Sequence, residues 1–373
     1  MIRGLRYVLS SRGSVDASYL RTIAVRAVRL HRRDRWQHSL RRRLPLAQRI
    51  PIDRPIFVLG LQGGGTTLIA RCLLRQRQVV SMSGNSDYWV ATSELGFVRN
   101  RMSRLPSALW SSSHREDLDD PVFGTTQNSV YACDALLPSY RETASDANPE
   151  DARRFKRLIQ EHLLVYARDP NRARFLDNTH TYTVKLGYLD ALLEGCDPFF
   201  LLVLRNPFTF CFRAVRRKAP SWRIVPPYEH QLRVAAEHWE NSYRLALADG
   251  KKTGRFAAVR FEDFIASPEA TIRAVCDFVQ LEFDPDLVPQ PGHRIPFATL
   301  PSDTKWHPLR EDQWRNQVPE SDAEIIEERC GPLAAALGYD RRVDGLPTDR
   351  WVLAGSIAQD LDVSMVTRPA STL

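Results

Sequence analysis

The run Gly60-Leu61-Gln62-Gly63-Gly64-Gly65-Thr66-Thr67 concentrates residues suited to holding an anion. Glycines let the backbone turn sharply, so that successive N–H groups face inward, and the two threonines add hydroxyl donors. The run follows a compact apolar stretch at 55–60 and precedes a helical pattern over 66–77, so a phosphate held there would meet a helix N-terminus. A plain strand-to-helix turn does not call for three consecutive glycines and two threonines. The Gly-Lys-Ser/Thr ending of a Walker A loop is missing, which argues against magnesium-dependent hydrolysis of ATP or GTP.

A second group is Leu201-Leu202-Val203-Leu204-Arg205-Asn206-Pro207. Arg205 follows an all-apolar strand and sits at its carboxyl end, the edge where open α/β sheets bind ligands. The planar fork of arginine suits a phosphate monoester. Pro207 opens a helix on which Arg213, Arg216 and Arg217 follow. A solvated helix face accounts for Arg216 and Arg217 better than for Arg205.

The elements that must position these groups alternate between strand and helix from residue 55 onward. That pattern predicts an α/β fold in three layers, a parallel sheet with helices on both faces. The expected strands are 55–60, 79–83, 174–176, 199–204 and 255–261. The expected helices are 66–77, 149–168, 207–218, 230–249 and 268–279. Ser267 before Pro268 reads as an N-cap with proline at the first helical position, and Ser321 with Glu324 as a capping box. Residues 84–148, rich in Ser, Asn, Asp and Pro without periodicity, read as a variable lid or acceptor region.

The formal net charge is +8, but residues 1–54 alone carry 14 arginines, no lysine and only Asp16, Asp34 and Asp53 as acids. That arm has a balance of +11, which leaves −3 for the remainder. Residues 14–33 have helical periodicity, with Leu20, Ile23, Ala24, Ala27 and Val28 on one side and arginines on the other. Residues 14–43 are therefore expected either to touch an anionic membrane peripherally or to pack on their own domain. The basic residues lack interleaved stacking aromatics, which argues against nucleic acid as a partner. The expected organisation is a basic arm at 1–54, an α/β domain at 55–345 and a tail at 346–373.

At 43% apolar and 26% charged residues the chain can build a sizeable core. Its longest pure apolar run, 199–204, is six residues, too short to span a bilayer. No secretory signal pattern opens the sequence, and the six widely spaced cysteines form neither a CxxC pair nor a disulfide framework. The expectation is reduced thiols, no metal, and a cytoplasmic protein that can associate with the inner membrane face.

These motifs, in this order, resemble the sulfotransferase family. A strand and glycine-rich loop ending in Gly-Thr-Thr is followed, some 140 residues later, by the Leu-Arg-Asn-Pro strand end. Phe175-Leu176-Asp177-Asn178-Thr179, Val259-Arg260-Phe261-Glu262-Asp263-Phe264 with Ser267-Pro268-Glu269, and Thr304-Lys305-Trp306 resemble further segments, as does Gly331-Pro332 through Leu337-Gly338-Tyr339. The resemblance spans about residues 55–340. It implies the P-loop-like sulfotransferase fold and transfer of a sulfuryl group from 3′-phosphoadenosine 5′-phosphosulfate (PAPS) to a hydroxyl or amine of a carbohydrate, glycolipid or other small metabolite. It also implies that Gln62, Gly63, Gly64, Gly65, Thr66 and Thr67 hold the 5′-phosphosulfate and Arg205 the 3′-phosphate.

Family loops read Pro, Lys or Arg, then Ser where Gln62, Gly63 and Gly64 stand, so Gly63 replaces the cation, and the serine eight residues after the arginine is replaced by Arg213. Asn178 stands where a lysine is common. Two readings stay open. In one, Lys185, Lys305 or Arg310 supplies the missing cation, with Arg213 on the 3′-phosphate. In the other, the protein is a silent nucleotide-binding scaffold. The reaction needs a base. Asp87 leads the candidates, with Glu94 and His114 as alternatives and His180 a fourth behind them, and Lys305 counts with Asp87 and Glu94 among the expected catalytic residues.

Overall fold

The computed structural model describes residues 44–82, 94–95, 104–110, 118–124, 127, 129–216, 222–289 and 317–339. Its centre is a five-stranded sheet in the order β2-β3-β1-β4-β5, with every neighbouring pair parallel. The strands are β1 (Ile56–Gly60), β2 (Val79–Val80), β3 (Arg174–Asp177), β4 (Phe199–Leu204) and β5 (Phe256–Arg260). Every residue of β1 and β4 is buried, as expected of strands covered on both faces.

Alternate side chains of these strands feed two cores. Ile56, Val58, Leu201 and Val203 face α1 (Thr66–Leu73) and further helices on that side, whereas Phe57, Leu59, Phe200 and Leu202 face the other layer. That second layer holds α2 (Pro149–Tyr166), α3 (Leu186–Leu192), α4 (Pro207–Arg216) and α5 (Tyr228–Gly250). The first layer is completed by α6 (Phe261–Ala266) and α7 (Pro268–Val279), and the second by α8 (Glu320–Ala336). The three-layer α/β expectation is met. Among the described residues no helix is long and apolar enough to cross a membrane.

The sequence of crossovers sends the chain from β1 to β2 and β3 on one side, then across to β4 and β5 on the other. The loop after β1 therefore lies where the winding reverses, the position at which open α/β sheets leave a crevice for ligands.

Several local expectations shift. α1 ends at Leu73 rather than 77, because the next N–H groups close tighter turns: Arg75 donates to Cys72 O (3.1 Å) and Gln76 to Leu73 O (3.0 Å). β5 stops at Arg260, and Phe261 opens α6, whose first turn carries Glu262 and Asp263. Ser267 does precede Pro268 at the start of α7, but its carbonyl rather than its hydroxyl is used, accepting from Thr271 N (3.1 Å) and Thr271 Oγ1 (2.9 Å). The Ser321–Glu324 capping box does not form. Pro319 caps α8 instead, so Ser321 lies inside the helix. The arm helix at 14–33 and the tail at 346–373 lie outside the described residues.

Candidate active site

The glycine loop is built by three left-handed turns of the backbone, at Gly60 (φ 143°), Gly63 (φ 83°) and Gly65 (φ 103°). A side chain is excluded at Gly65 on two counts. Its φ disfavours any β-carbon, and a β-carbon there would come within 2.0 Å of the Phe261 ring. Gly64 N–H donates to Leu61 O at 2.8 Å, closing the loop on itself. Gly65 then caps α1 with no side-chain hydrogen bond. The N–H groups of Thr66 and Thr67 have no acceptor within the helix, as at any helix start. Gln62 and Gly63 are exposed, Gly65 and Thr67 are half-buried, and Thr66 is buried. A glycine cap, first-turn amides and two hydroxyls fit a bound phosphate.

Arg205 and Arg213 are both buried, Arg205 just beyond β4 and Arg213 on α4. The Arg205 guanidinium lies over Phe261, 4.3 Å from the ring centroid, with its Nε 3.5 Å from Glu262 Oε1. Glu262 is itself fixed: Oε1 accepts from Asn206 N–H (2.9 Å) and Oε2 from the Tyr339 hydroxyl (3.0 Å). The Trp239 indole donates to Arg205 O at 2.8 Å, tying the end of β4 to α5. Phe261 is thus shared between the glycine loop and Arg205.

The segment after β3 runs alongside the loop. Thr183 Oγ1 accepts from Gly60 N–H (2.8 Å) and donates to Gly60 O (3.0 Å), and Asn178 Nδ2 donates to Thr67 Oγ1 (3.5 Å). His180 lies between these two points, at the start of the 3-10 helix His180–Lys185. Its Nδ1 is 3.1 Å from Glu94 Oε2, and its side chain is only 4% exposed. A carboxylate only accepts, so Nδ1 is the donor in this contact. The backbone of His180 is held as well, since the buried Tyr131 hydroxyl donates to its carbonyl at 2.7 Å.

Glu94 and His180, separate candidates in the sequence, therefore form one pair. Lys185 is fully buried, its ammonium donating to Ala108 O and lying 5.9 Å from the Tyr140 ring centroid. Asp87, His114, Lys305 and Arg310 lie outside the described residues. Phe261, Glu262 and Asp177 enter the sequence reading only as members of motifs, and Thr183 does not enter it at all. Each acts by supporting a neighbour, which composition does not reveal. Among the described residues no group of three or more His, Cys, Asp or Glu side chains could hold a metal ion.

The sulfotransferase family model matches residues 55–285, more than half of the chain, and the protein belongs to that family. No curated protein matches it significantly. Among solved structures it is similar to the sulfotransferase domain from the curacin biosynthetic pathway, at 18% identity over 78% of this chain and 99% of that one (TM-score 0.44). A sulfotransferase of Mycobacterium avium is 14% identical over 82% of each chain (TM-score 0.46). One of Alicyclobacillus acidocaldarius is 17% identical over 78% of this chain and 98% of that one (TM-score 0.39).

Proposed function

We propose that this sulfotransferase takes its sulfuryl group from PAPS and delivers it to a hydroxyl or amine of a carbohydrate, glycolipid or other small metabolite. The observation that carries the reading is the double hydrogen bond of Thr183 to Gly60, which ties the 3-10 helix that begins at His180, the partner of Glu94, to the end of β1 where the glycine loop starts. A phosphate site and a base site are thereby joined through one short segment.

In this reading the loop amides and the hydroxyls of Thr66 and Thr67 hold the 5′-phosphosulfate, while Arg205 and Arg213 hold the 3′-phosphate. PAPS supplies an activated sulfuryl group on a phosphate leaving group. Nε2 of His180 takes the proton of the acceptor, and Glu94 stabilises the resulting imidazolium through Nδ1. The position of Gly63 carries no charge, so stabilisation of the leaving phosphate falls to backbone N–H groups and to a cation from another segment, for which Lys305 and Arg310 are the candidates. The basic residues at 14–43 would hold the protein against an anionic membrane on the cytoplasmic side, beside lipid-linked acceptors.

The test follows ³⁵S from labelled PAPS into an extract of hydroxylated metabolites and glycolipids, alongside calorimetric titration with 3′-phosphoadenosine 5′-phosphate (PAP). Label transferred to a discrete product supports the reading. PAP binding with no transfer identifies a silent nucleotide-binding protein instead, and absence of PAP binding removes both.

A further inference from the structure

At the end of β3, the carboxylate of Asp177 is fully buried and accepts two backbone hydrogen bonds. Oδ2 takes the N–H of Leu95 at 2.6 Å, and Oδ1 takes the N–H of Thr179 at 2.8 Å. Leu95 directly follows Glu94, and Thr179 directly precedes His180. One side chain therefore grips both pieces of backbone that carry the Glu94–His180 pair.

We propose that Asp177 is a positioning residue, setting the separation and orientation of Glu94 and His180 and through them the tautomer of the imidazole. The inference rests on the reading of His180 as the base. A turn alone would be served by serine or asparagine, which hold an N–H without charge. Only a carboxylate accepts from two donors while offering none, because asparagine turns its amide N–H₂ toward one of them. The charge is costly at this site: burial, with the nearby Glu94 adding, pushes the Asp177 carboxyl up to about 7. Leu95 is also fully buried, so the segment bearing Glu94 is fixed by its side chain and by Asp177 together.

The experiment compares the full chain with Asp177→Asn, Glu94→Gln, the double variant and His180→Ala. The probes are PAP binding by calorimetry, sulfate release from labelled PAPS with water as acceptor, and the crystal structure of Asp177→Asn. The expected result is a loss of turnover on the order of tenfold to a hundredfold in Asp177→Asn. PAP affinity should stay within about twofold, and the double variant should be no slower than Glu94→Gln alone, because coupled residues are not additive. In the Asp177→Asn crystal structure, Glu94 and His180 should no longer be within hydrogen-bond distance. Retention of that contact overturns the proposal, as do losses that simply add or a parallel fall in PAP affinity.

Thr179→Pro is the second variant, should Asp177→Asn fail to fold. The φ of Thr179 is −63°, which proline adopts, so the substitution deletes the backbone N–H and the side-chain donor that Thr179 offers Asp177 while keeping the acid. It should reproduce the turnover loss, and wild-type turnover contradicts the inference. If His180→Ala keeps wild-type turnover, it is the assignment of the base that fails. If His180→Ala is inactive while Asp177→Asn and Thr179→Pro are not, only the role of Asp177 fails.

Discussion

The ring of Phe261 occupies the space a side chain at Gly65 would need, with Cδ2 only 2.0 Å from the position of a β-carbon there. The same ring lies under the Arg205 guanidinium, 4.3 Å from its centroid. The glycine loop and the arginine are thus set relative to one another by one aromatic side chain at the start of α6.

Gly65→Ala should damage both sites together. A left-handed backbone costs a non-glycine residue roughly 1–2 kcal/mol, and displacing the ring adds about 1–3 kcal/mol of overpacking. Thermal unfolding and PAP calorimetry check this. The expected outcome is a lower Tm with loss of nucleotide binding, and an unchanged affinity would contradict the role given to the loop.

His180→Ala should reduce turnover roughly a hundredfold or more while leaving PAP affinity intact, because a positioned general base contributes in that range. Glu94→Gln keeps the shape of the side chain but removes its charge, and should lower kcat with little change in KM for PAPS. Steady-state kinetics with labelled PAPS decides. A rise in KM alone would assign the pair to binding instead.

Two buried groups give stability opposite pH dependences. Asp177 has a folded pKa of about 7 against 3.8, so its stabilising contribution is complete below 3.8 and is lost as pH rises through about 7. Burial, with His180 close by, lowers the His238 imidazole from 6.5 to about 3, so its contribution is present above 6.5 and is lost as pH falls toward 3. His238 Nδ1 accepts from Ala132 N–H at 3.2 Å, consistent with a neutral ring. Urea unfolding between about pH 4 and pH 8, which crosses the ordinary imidazole value and the folded value of Asp177, should show Asp177→Asn losing less stability than the wild type as pH rises. His238→Gln should lose less as pH falls. Profiles parallel to the wild type would contradict both assignments.

The sheet was legible because β1 and β4 are unbroken apolar runs bounded by glycine or arginine, the signature of strands buried on both faces. α6 was not, because Phe261 continues the apolar pattern of β5 and only the acids at 262 and 263 mark a new helix start. The glycine loop could be read from composition, since its chemistry is local. The base pair could not: Glu94 and His180 are 86 residues apart, and the fold joins them through β3 and a carboxylate that looks like any other in the sequence. Lys185 shows the converse. Its charge suggested a replacement cation, but the fold buries it against Ala108.

The proposed function has the glycine loop and Arg205 together hold a 3′-phosphorylated adenosine nucleotide. Calorimetric titration of the full chain with PAP and with adenosine 5′-phosphate tests it directly. PAP is expected to bind at least about tenfold more tightly, through charge-assisted hydrogen bonds to its 3′-phosphate, and Arg205→Ala is expected to erase the preference. Equal binding of the two nucleotides, or a preference that survives in Arg205→Ala, would contradict it.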